Sequence, residues 1–394
     1  MEKTKKYAWV MDALSKTPLP VKLRAMKKFL AGEKEYLPEK KTNADMDAII
    51  KCSLCPNMCK FDCPVLEAGK NEALSPSAKM RIAYFIEKGL IGSKDSFELM
   101  YKCCSCDACR QWCPFDFSVG DILKGVRADI VEENKTPEKI LEIKEKLEKN
   151  HIMDEKSFEV RGGRKGEILY FMGCTVQSKR KEIGEAMIKI FDRAREEYAV
   201  MEEEWCCGAP LHNLGFINEF KEFARHNVEK IKESECKLMI CSCPTCTYVF
   251  KQIYPQFGFK IKAKIMHSSE YLFDIIQNKK IEVGSVEKEC VYHDPCTLAR
   301  KLGIETEPRE VLRDTGIVLK EAYFNKKDTK CCGGGGQLSR ISPEIAEKIA
   351  ENRIKELAEI AECIVTACPS CKTAFENCKE VYDLSEVVLM GMIE

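Results

Sequence analysis

Apolar and polar positions change their spacing along the chain. In the first 150 residues the clearest patterns are helical, with apolar positions at helical spacing in residues 77–89 and a proline-opened amphipathic run in residues 136–150. From residue 167 onward, short apolar runs alternate with amphipathic stretches. The apolar runs predict strands at residues 168–172, 238–241, 291–293 and 363–366. The amphipathic stretches predict helices at residues 179–198, 245–252 and 343–360.

These patterns predict an α+β multidomain protein, with a helical N-terminal part followed by two α/β domains. A helical stretch at residues 22–30 lies among prolines, which indicates a separate arm. The loop-like residues 160–166 continue the predicted helix of residues 136–150 into a linker. The predicted boundaries are residues 1–42 for the arm, 43–133 for the helical domain, 134–166 for the linker, and 167–288 and 289–394 for the α/β domains.

Charge narrows the classes of partner. The 394 residues contain 63 basic and 63 acidic side chains, so bulk charge does not suggest a nucleic-acid partner. The basic residues 1–7 are not followed by an apolar run of signal-peptide length, and no run approaches the roughly 20 apolar residues of a membrane span. We therefore expect a cytoplasmic protein.

Cysteine is the unusual component, with 24 residues. In a reducing cytosol so many thiols are better suited to soft metals or redox chemistry than to disulfides. Four of them, Cys331, Cys332, Cys368 and Cys371, lie 125 positions after Cys206, Cys207, Cys243 and Cys246, and Cys296 lies 122 positions after Cys174. The neighbouring residues match as well, which indicates that the second half of the chain is an internal duplication.

Two cysteine motifs in the helical part have the spacing of 4Fe-4S cubane ligands. One is Cys103-x2-Cys106-x2-Cys109-x3-Cys113-Pro, and the other is Cys52-x2-Cys55-x3-Cys59-x3-Cys63-Pro, which has one additional residue. In two-cluster ferredoxins the cysteine before proline ligates the other cluster. We therefore expect one cubane on Cys52, Cys55, Cys59 and Cys113, and a second on Cys103, Cys106, Cys109 and Cys63. Structural zinc is the alternative, because Cys-x2-Cys pairs also build zinc sites.

Each half of the duplication offers a lone cysteine, a Cys-Cys-Gly and a Cys-Pro-x-Cys. Four thiolates suffice for a cubane, so a fifth implies bridging or a distorted, open cluster. Adjacent cysteines in a strand would point to opposite faces, so each Cys-Cys-Gly segment is predicted to be a turn. Gly208 and the glycines at 333–336 supply the required freedom.

With these motifs the chain resembles the Cys-Cys-Gly domain iron–sulfur proteins, and among them the D subunit of heterodisulfide reductase, over nearly its whole length. The resemblance implies a two-cluster ferredoxin followed by two domains that each bind a non-cubane 4Fe-4S cluster. It implies Cys174, Cys206, Cys207, Cys243 and Cys246 as one ligand set, and Cys296, Cys331, Cys332, Cys368 and Cys371 as the other. The implied activity is reductive cleavage of the disulfide of coenzyme M and coenzyme B.

Related architectures occur in iron–sulfur subunits of flavin-dependent dehydrogenases, such as those for 2-hydroxy acids and glycerol 3-phosphate, which only relay electrons. The function therefore stays open between a disulfide reductase and a relay subunit, with a zinc-stabilised scaffold as a third alternative. No flavin or nicotinamide fingerprint is evident, so we expect redox partner subunits. A flavoprotein or a membrane cytochrome or quinone-linked subunit would fit, the latter with peripheral membrane association through that partner.

Several other residues are candidates with structural alternatives. Basic side chains near the cysteines could bind an anionic disulfide, but such residues are usually solvated; they are Lys179, Arg180, Arg300, Lys301 and Arg340. His293, Asp294 and His212 could donate a proton or tune a cluster, or could simply pack at a turn. The remaining cysteines are expected to be mostly buried thiols; they are Cys104, Cys236, Cys241, Cys290, Cys363 and Cys378.

Overall fold

The computed structural model describes residues 15–30, 36–158, 166–201 and 203–393. Parts of the predicted arm and linker, residues 1–14, 31–35 and 159–165, lie outside this range. The chain divides into two units, Met1–Lys41 and Thr42–Glu394. In the described part of the first unit, helix α1 spans Leu19–Leu30, three residues longer at its start than predicted. Among the described residues no helix combines the length and apolar character that crossing a bilayer requires.

The second unit begins with a helical region. Its α-helices are α2 (Met46–Ser53), α3 (Pro64–Gly69), α4 (Pro76–Glu87), α5 (Lys94–Tyr101), α6 (Ala108–Gln111), α7 (Val119–Glu132) and α8 (Glu138–Asn150). Short 3₁₀ turns lie at Met58–Asp62 and Glu72–Leu74. The two helices predicted here, at 77–89 and 136–150, are α4 and α8. Ser75 caps α4 by accepting a hydrogen bond from the backbone N–H of Ala78, with Pro76 at its first turn.

The first duplicated half folds around a four-stranded parallel sheet in the order β2-β1-β3-β4. Its strands are β1 (Ile168–Phe171), β2 (Tyr198–Val200), β3 (Leu238–Cys241) and β4 (Lys264–His267). Its α-helices are α9 (Cys174–Ser178), α10 (Lys181–Arg193), α11 (Ala209–Leu214), α12 (Ile217–Glu233), α13 (Pro244–Tyr248), α14 (Tyr254–Gln256) and α15 (Ser268–Gln277). A π-helical turn at Val249–Ile253 joins α13 to α14.

The second half repeats this sheet in the order β6-β5-β7-β8, again parallel. Its strands are β5 (Glu289–His293), β6 (Val318–Glu321), β7 (Cys363–Thr366) and β8 (Glu380–Asp383). Its α-helices are α16 (Glu307–Asp314), α17 (Leu338–Ile341), α18 (Pro343–Ala358), α19 (Pro369–Ala374) and α20 (Leu384–Gly391). A π-helical turn lies at Thr297–Leu302 and a 3₁₀ turn at Lys326–Asp328. The mixed α and β architecture predicted from the sequence is therefore present.

One predicted helix was wrong in its extent. Residues 179–198 were expected to be a single helix, but α10 ends at Arg193 and Tyr198 begins strand β2. Arg195 between them adopts a left-handed φ of 54°, which ends the helix. The helix predicted at 245–252 is likewise divided between α13 and the π-helical turn that follows it.

The two sheets share one hydrophobic core. Tyr170 and Ile240 of the first sheet belong to the same buried cluster as Tyr292 and Val365 of the second. Helix α10 packs against α20, and α15 against α16, across this core. Because all strands of each sheet are parallel, the loops after them emerge at one edge. The duplicated cysteines lie in or next to these loops.

The glycine loop at 333–336 lies directly on the backbone of the helical region. A Cβ at Gly335 would overlap the carbonyl oxygen of Cys104, and a Cβ at Gly336 would overlap that of Cys103. Gly336 also has a φ of +62°, where side chains are disfavoured. Glycine is therefore required for the second α/β half to approach the cysteine motif at 103–113 this closely.

We predict that Gly336→Ala destabilises the chain by about 3 kcal/mol, because backbone strain and overpacking add at this position. Gly89→Ala is the matched control: Gly89 has a similar φ of +68°, but nothing lies near its would-be Cβ. This control should cost only about 1 kcal/mol. Denaturant unfolding of both anaerobically purified variants measures the difference, and equal losses would contradict the close approach.

Candidate iron–sulfur centres

The cysteines of the helical region form two groups. The first contains Cys52, Cys55, Cys59 and Cys113. Burial raises the pKa of Cys52 to about 12, and the nearby thiols of Cys59, Cys113 and Cys55 add to this shift. Burial also raises the pKa of Cys59 to about 11, again with contributions from Cys113 and Cys55. The four thiols are thus mutual neighbours, although Cys113 is distant in sequence.

The second group contains Cys63, Cys103, Cys106 and Cys109. Burial raises the pKa of Cys109 well above its usual value, and Cys106, Cys103 and Cys63 contribute electrostatically. Burial likewise raises the pKa of Cys63, with contributions from Cys103 and Cys106. Each group therefore takes its fourth thiol from the other motif, as the ferredoxin-type exchange predicts. That these thiols ligate iron stays a prediction.

The additional residue in the first motif is accommodated by a left-handed residue. Asn57, between Cys55 and Cys59, has a φ of 73° and precedes the 3₁₀ turn at Met58–Asp62. Backbone amides donate to cysteine sulfurs in both groups: Ser105 N–H donates to Cys103 Sγ, and Phe117 N–H to Cys113 Sγ, each at 3.4 Å. Such donors favour the thiolate form that binds metal.

The cysteines of the first α/β half, which we call the first quintet, also converge. They are Cys174, Cys206, Cys207, Cys243 and Cys246. Hydrogen bonding to Cys206 raises the pKa of Cys174, whereas hydrogen bonds from Cys206 and Cys246 lower the pKa of Cys207 to about 6. The Cys-Cys-Gly segment lies in no helix or strand, and Gly208 follows with a φ of 80°. The predicted turn is therefore present.

The second quintet consists of Cys296, Cys331, Cys332, Cys368 and Cys371. Cys332 Sγ lies 3.3 Å from Cys371 Sγ, and hydrogen bonds from Cys331 and Cys371 lower the pKa of Cys332. The Cys331 thiol contacts those of Cys296 and Cys332. Backbone N–H groups of Gly333 and Gly334 donate to the sulfurs of Cys331 and Cys332, each at 3.4 Å. These amides belong to the glycine loop.

The four thiol groups form a continuous series. Hydrogen bonding to Cys104 and Cys106 raises the pKa of Cys331, so the second ferredoxin-type group adjoins the second quintet. Cys104, expected to be a packed spare thiol, is buried at this junction. Hydrogen bonds from Cys246 and from Cys368 lower the pKa of Cys243, so the two quintets adjoin as well. Among the described residues, the second ferredoxin-type group is thus followed by the second quintet, and the second quintet by the first.

A cavity of about 630 Å³ lies between the two α/β halves. All five cysteines of the first quintet line it, as do Cys296 and Cys332 of the second. Gly173, with a φ of 85°, leaves room beside the sulfurs, since a Cβ there would lie 3.4 Å from Cys246 Sγ. Soft thiol donors in groups of four and five, facing such space, fit iron–sulfur clusters chemically.

The basic candidates all have partners in the protein. Arg340 and Lys179 bind Asp154, at 2.6 and 3.4 Å. Arg180 binds Glu376 at 2.9 Å. The remaining two join the second half to the helical region, because Arg300 donates to the carbonyl of Cys106 at 2.9 Å and Lys301 pairs with Asp107 at 3.3 Å. Lys124, which the sequence reasoning missed, also lines the cavity and pairs with Asp121 at 2.7 Å.

The other polar candidates have different environments. Burial lowers the pKa of His212 to about 3, which favours the neutral ring near pH 7. Asp294 is almost fully buried and receives two hydrogen bonds of 2.8 Å from Arg309, and one of 2.8 Å from the backbone of Lys326. It braces the loop that leads to Cys331. His293 lies beside Cys332 and Cys371.

Sequence reasoning missed Glu204, two residues before the first Cys-Cys-Gly. Its buried carboxylate accepts hydrogen bonds from the backbone N–H of Met172 at 2.9 Å and of Gly173 at 2.6 Å, and from the Gln177 amide at 2.7 Å. Burial nevertheless raises its pKa to about 7. The carboxylate fixes the loop that carries Cys174. The acidic residues before Cys206 were the available signal.

The cysteines outside the four groups are buried or partly buried, as expected. Cys241 is fully buried, and Cys290 and Cys363 lie opposite each other on β5 and β7 with their sulfurs 2.8 Å apart. Cys236 and Cys378 are partly exposed. None of these five belongs to a quintet.

The cysteine-rich domain model named CCG matches residues 168–251 and 290–376. The chain contains two CCG domains. Each match begins at or within the first strand of a parallel sheet and ends shortly after the Cys-Pro-x-Cys segment. The predicted duplication and its family are therefore confirmed. Both quintets lie within the matched residues.

The chain is also similar to named oxidoreductases beyond its CCG domains. It is 27% identical over 384 residues to the D subunit of dihydromethanophenazine:CoB–CoM heterodisulfide reductase of Methanosarcina barkeri, covering 89% of the chain and 93% of that protein. It is 26% identical to the B subunit of fumarate reductase (CoM/CoB) of Methanothermobacter marburgensis, covering 95% of the chain and 77% of that protein. It is 26% identical to EtfAB:quinone oxidoreductase of Syntrophomonas wolfei, covering 78% of the chain and 48% of that protein. The resemblance to the heterodisulfide reductase D subunit is thus confirmed along most of the chain.

We predict that Asp294→Ala destabilises the second CCG domain by about 3 kcal/mol, because it removes the buried one of the two carboxylates that bind the Arg309 guanidinium and leaves the partly exposed Glu321. Glu310→Ala is the control. It breaks the exposed Arg313–Glu310 pair on α16, the helix that carries Arg309, and should lower the free energy of unfolding by less than about 1 kcal/mol. Chemical denaturation of both variants measures these costs. A small effect for Asp294→Ala would rule out its bracing role.

Proposed function

We propose that the chain is the iron–sulfur subunit of an oxidoreductase complex in the cytoplasm and that it cleaves a disulfide between its two CCG domains. The observation that carries the proposal is that cysteines of both quintets line one cavity. Similarity to reductase subunits along most of the chain supports it. Two 4Fe-4S cubanes would be held by the two ferredoxin-type groups, and one non-cubane 4Fe-4S cluster by each quintet.

When bound, such clusters supply one-electron carriers and iron with an affinity for sulfur. The residues of the chain hold the clusters close together and give the disulfide access to them. The thiol groups adjoin one another in series, which keeps the distances for electron transfer short. The cavity gives a disulfide access to both quintets, and Glu204 and Asp294 hold the loops that carry their cysteines. Cleavage consumes two electrons and two protons and yields two thiols.

One observation favours a second candidate, a relay subunit without disulfide chemistry. An anionic disulfide, such as that of coenzyme M and coenzyme B, needs cations to bind its sulfonate and phosphate groups. Each of the five basic candidates, and Lys124, already has a carboxylate or carbonyl partner in the described structure. Substrate would therefore have to compete with these partners, whereas an electron relay needs no such site.

We predict that the anaerobically purified chain contains about 16 iron atoms, the sum of four 4Fe-4S clusters. Supplied with reduced viologen, it should release two thiols from each molecule of the coenzyme M–coenzyme B disulfide. Cys243→Ala, at the junction of the quintets, should lower thiol release about 10–100-fold. Cys236→Ser lies outside all four groups and is the matched control.

The outcomes separate the three candidates. Full iron content without thiol release favours the relay subunit over the reductase. Colourless protein that contains zinc instead of iron would establish the scaffold alternative and end both iron–sulfur proposals.

We further propose that a redox partner binds at the first ferredoxin-type group. Five large apolar side chains next to its cysteines are half or more exposed; they are Leu54, Met58, Phe61, Trp112 and Phe115. We call them the apolar rim. Asp62 bonds to the Trp112 side chain, which joins the two segments of the rim. Exposed apolar groups of this kind mark protein interfaces.

Two ion pairs lie beside the apolar rim. Lys51 binds Asp47 at 2.5 Å and Arg110 binds Asp116 at 2.6 Å. A surface with this many exposed apolar side chains suits a lasting subunit contact better than a transient, charge-steered encounter. We therefore favour a permanent partner subunit that carries its own flavin, haem or quinone site.

We predict that Leu54→Glu combined with Phe61→Glu removes the redox subunit that co-purifies with a tagged chain from its own host. Direct chemical reduction of the clusters should be unchanged, because the thiol groups remain intact. Tyr323→Glu alters a side chain that is 86% exposed elsewhere and is the control. Retention of a flavin- or haem-containing subunit by the double variant, or loss only of a second copy of this chain, contradicts the proposal.

A further inference from the structure

The two CCG domains differ at the residue that ends their first strand. Phe171 ends β1 and His293 ends β5, each three residues before the lone cysteine of its quintet. The packing is equivalent, because Phe171 contacts Phe250 and His293 contacts Phe375, both edge-on at 4.8 Å. The second domain therefore places an imidazole where the first places a benzene ring of similar size.

The imidazole lies among the sulfurs of the second quintet. A ring nitrogen of His293 and the sulfurs of Cys332 and Cys371 lie within 4.8 Å of one another, and all three residues are buried. Among the described residues this is the one histidine grouped with cysteines in this way.

A buried arginine fixes the orientation of this ring. Arg353 Nε donates to His293 Nδ1 at 3.3 Å, and Arg353 itself is held by the carbonyl of Phe324 at 2.9 Å and by Glu356 at 3.1 Å. Because Nδ1 accepts, the neutral ring carries its proton on Nε2. In the described structure Nε2 has no hydrogen-bond partner, so it is the ring nitrogen that remains available to donate. The position 125 residues before Arg353 is Val228, so the first domain lacks this support.

We propose that His293 is a positioning residue that donates an N–H···S hydrogen bond to Cys332 and makes the second CCG centre easier to reduce than the first. The inference rests on the proposed function, in that it requires an iron–sulfur cluster on the second quintet. Reduction adds negative charge to a cluster and its thiolates, and a fixed N–H donor stabilises that charge. Phe171 offers the first quintet no such donor.

The location of this donor gives the inference a functional consequence. The second quintet adjoins the ferredoxin-type group through Cys331, and the first quintet adjoins the second through Cys243 and Cys368. An electron that arrives from the helical region is therefore retained first at the second CCG domain. The first CCG domain then receives the following electron, so the two domains have unequal roles despite their duplication.

The test is a redox titration of the purified, cluster-loaded chain followed by EPR. His293→Phe copies the ring found in the first domain, so packing should be preserved. At a fixed ambient potential, the ratio of reduced to oxidised second centre should fall on the order of tenfold, which corresponds to about 59 mV for a one-electron couple. Phe171→His with Val228→Arg should shift the first centre in the opposite direction. Unchanged potentials in His293→Phe would overturn the proposal.

A spectroscopic measurement checks the contact itself. The chain has five histidines, so labelling with ¹⁵N-histidine allows pulsed EPR to detect nitrogen coupled to a reduced cluster. We expect a coupling that is lost in His293→Phe and retained in His267→Asn. His267 is also buried, but its Nδ1 caps α15, a role that asparagine can replace. A coupling that survives in His293→Phe, or that is absent from the parent chain, contradicts the hydrogen bond.

A conservative variant separates hydrogen bonding from a purely structural role. His293→Gln keeps an N–H donor near Cys332 and should restore most of the parent potential, whereas a structural defect would lower iron content in both variants. Iron content also distinguishes a failure of the proposed function from a failure of the role assigned to His293. If the parent chain lacks about 16 iron atoms, the proposed function fails; if iron is complete and the potentials do not respond, only the role of His293 fails.

Discussion

The structure depends on one constraint: cysteine sulfurs that are buried together stay protonated unless a cation compensates the charge of their thiolates. Burial raises the pKa of Cys52, Cys63 and Cys109, so these thiols resist ionisation unless a cation replaces their protons. At the same time, hydrogen bonds from neighbouring thiols lower the pKa of Cys207 and Cys332. Each quintet thus contains at least one sulfur prepared to lose its proton first. Such groups of soft donors are suited to binding metal.

The two architectures bring sulfurs together in different ways. In each CCG domain, parallel strands direct their following loops to one edge, so cysteines some 70 residues apart in sequence meet there. In the helical region, short helices and left-handed residues such as Asn57 fold each motif around its own sulfurs. Arg300, Lys301 and the glycine loop then join the two architectures. These contacts explain why the ferredoxin-type groups and the quintets form one series.

The sequence predicted the central strands and the grouping of cysteines, because both depend on local patterns. Strands β1 and β7 are fully buried and have continuous apolar runs. The edge strand β6, Val318–Glu321, is largely exposed and has no such run, so it could not be recognised. The same limit applies to the site. Spacing identified the eighteen cysteines, but the approach of Cys331 to Cys104, and of Arg353 to His293, depends on packing between distant segments.

The two CCG domains share one fold and one pattern of cysteines, but they differ in the polar residues around their quintets. Glu204 braces the first quintet, while the equivalent position of the second domain is Thr329, which donates to the carbonyl of Asp294 at 3.0 Å. The second domain instead has the Arg353–His293 pair. These substitutions leave the sheets, the turns and all ten cysteines in place, and they alter only the polar groups around the sulfurs. Because hydrogen bonds to sulfur tune a cluster without changing its ligands, this change would, under the proposed function, give two copies of one binding site different electron affinities.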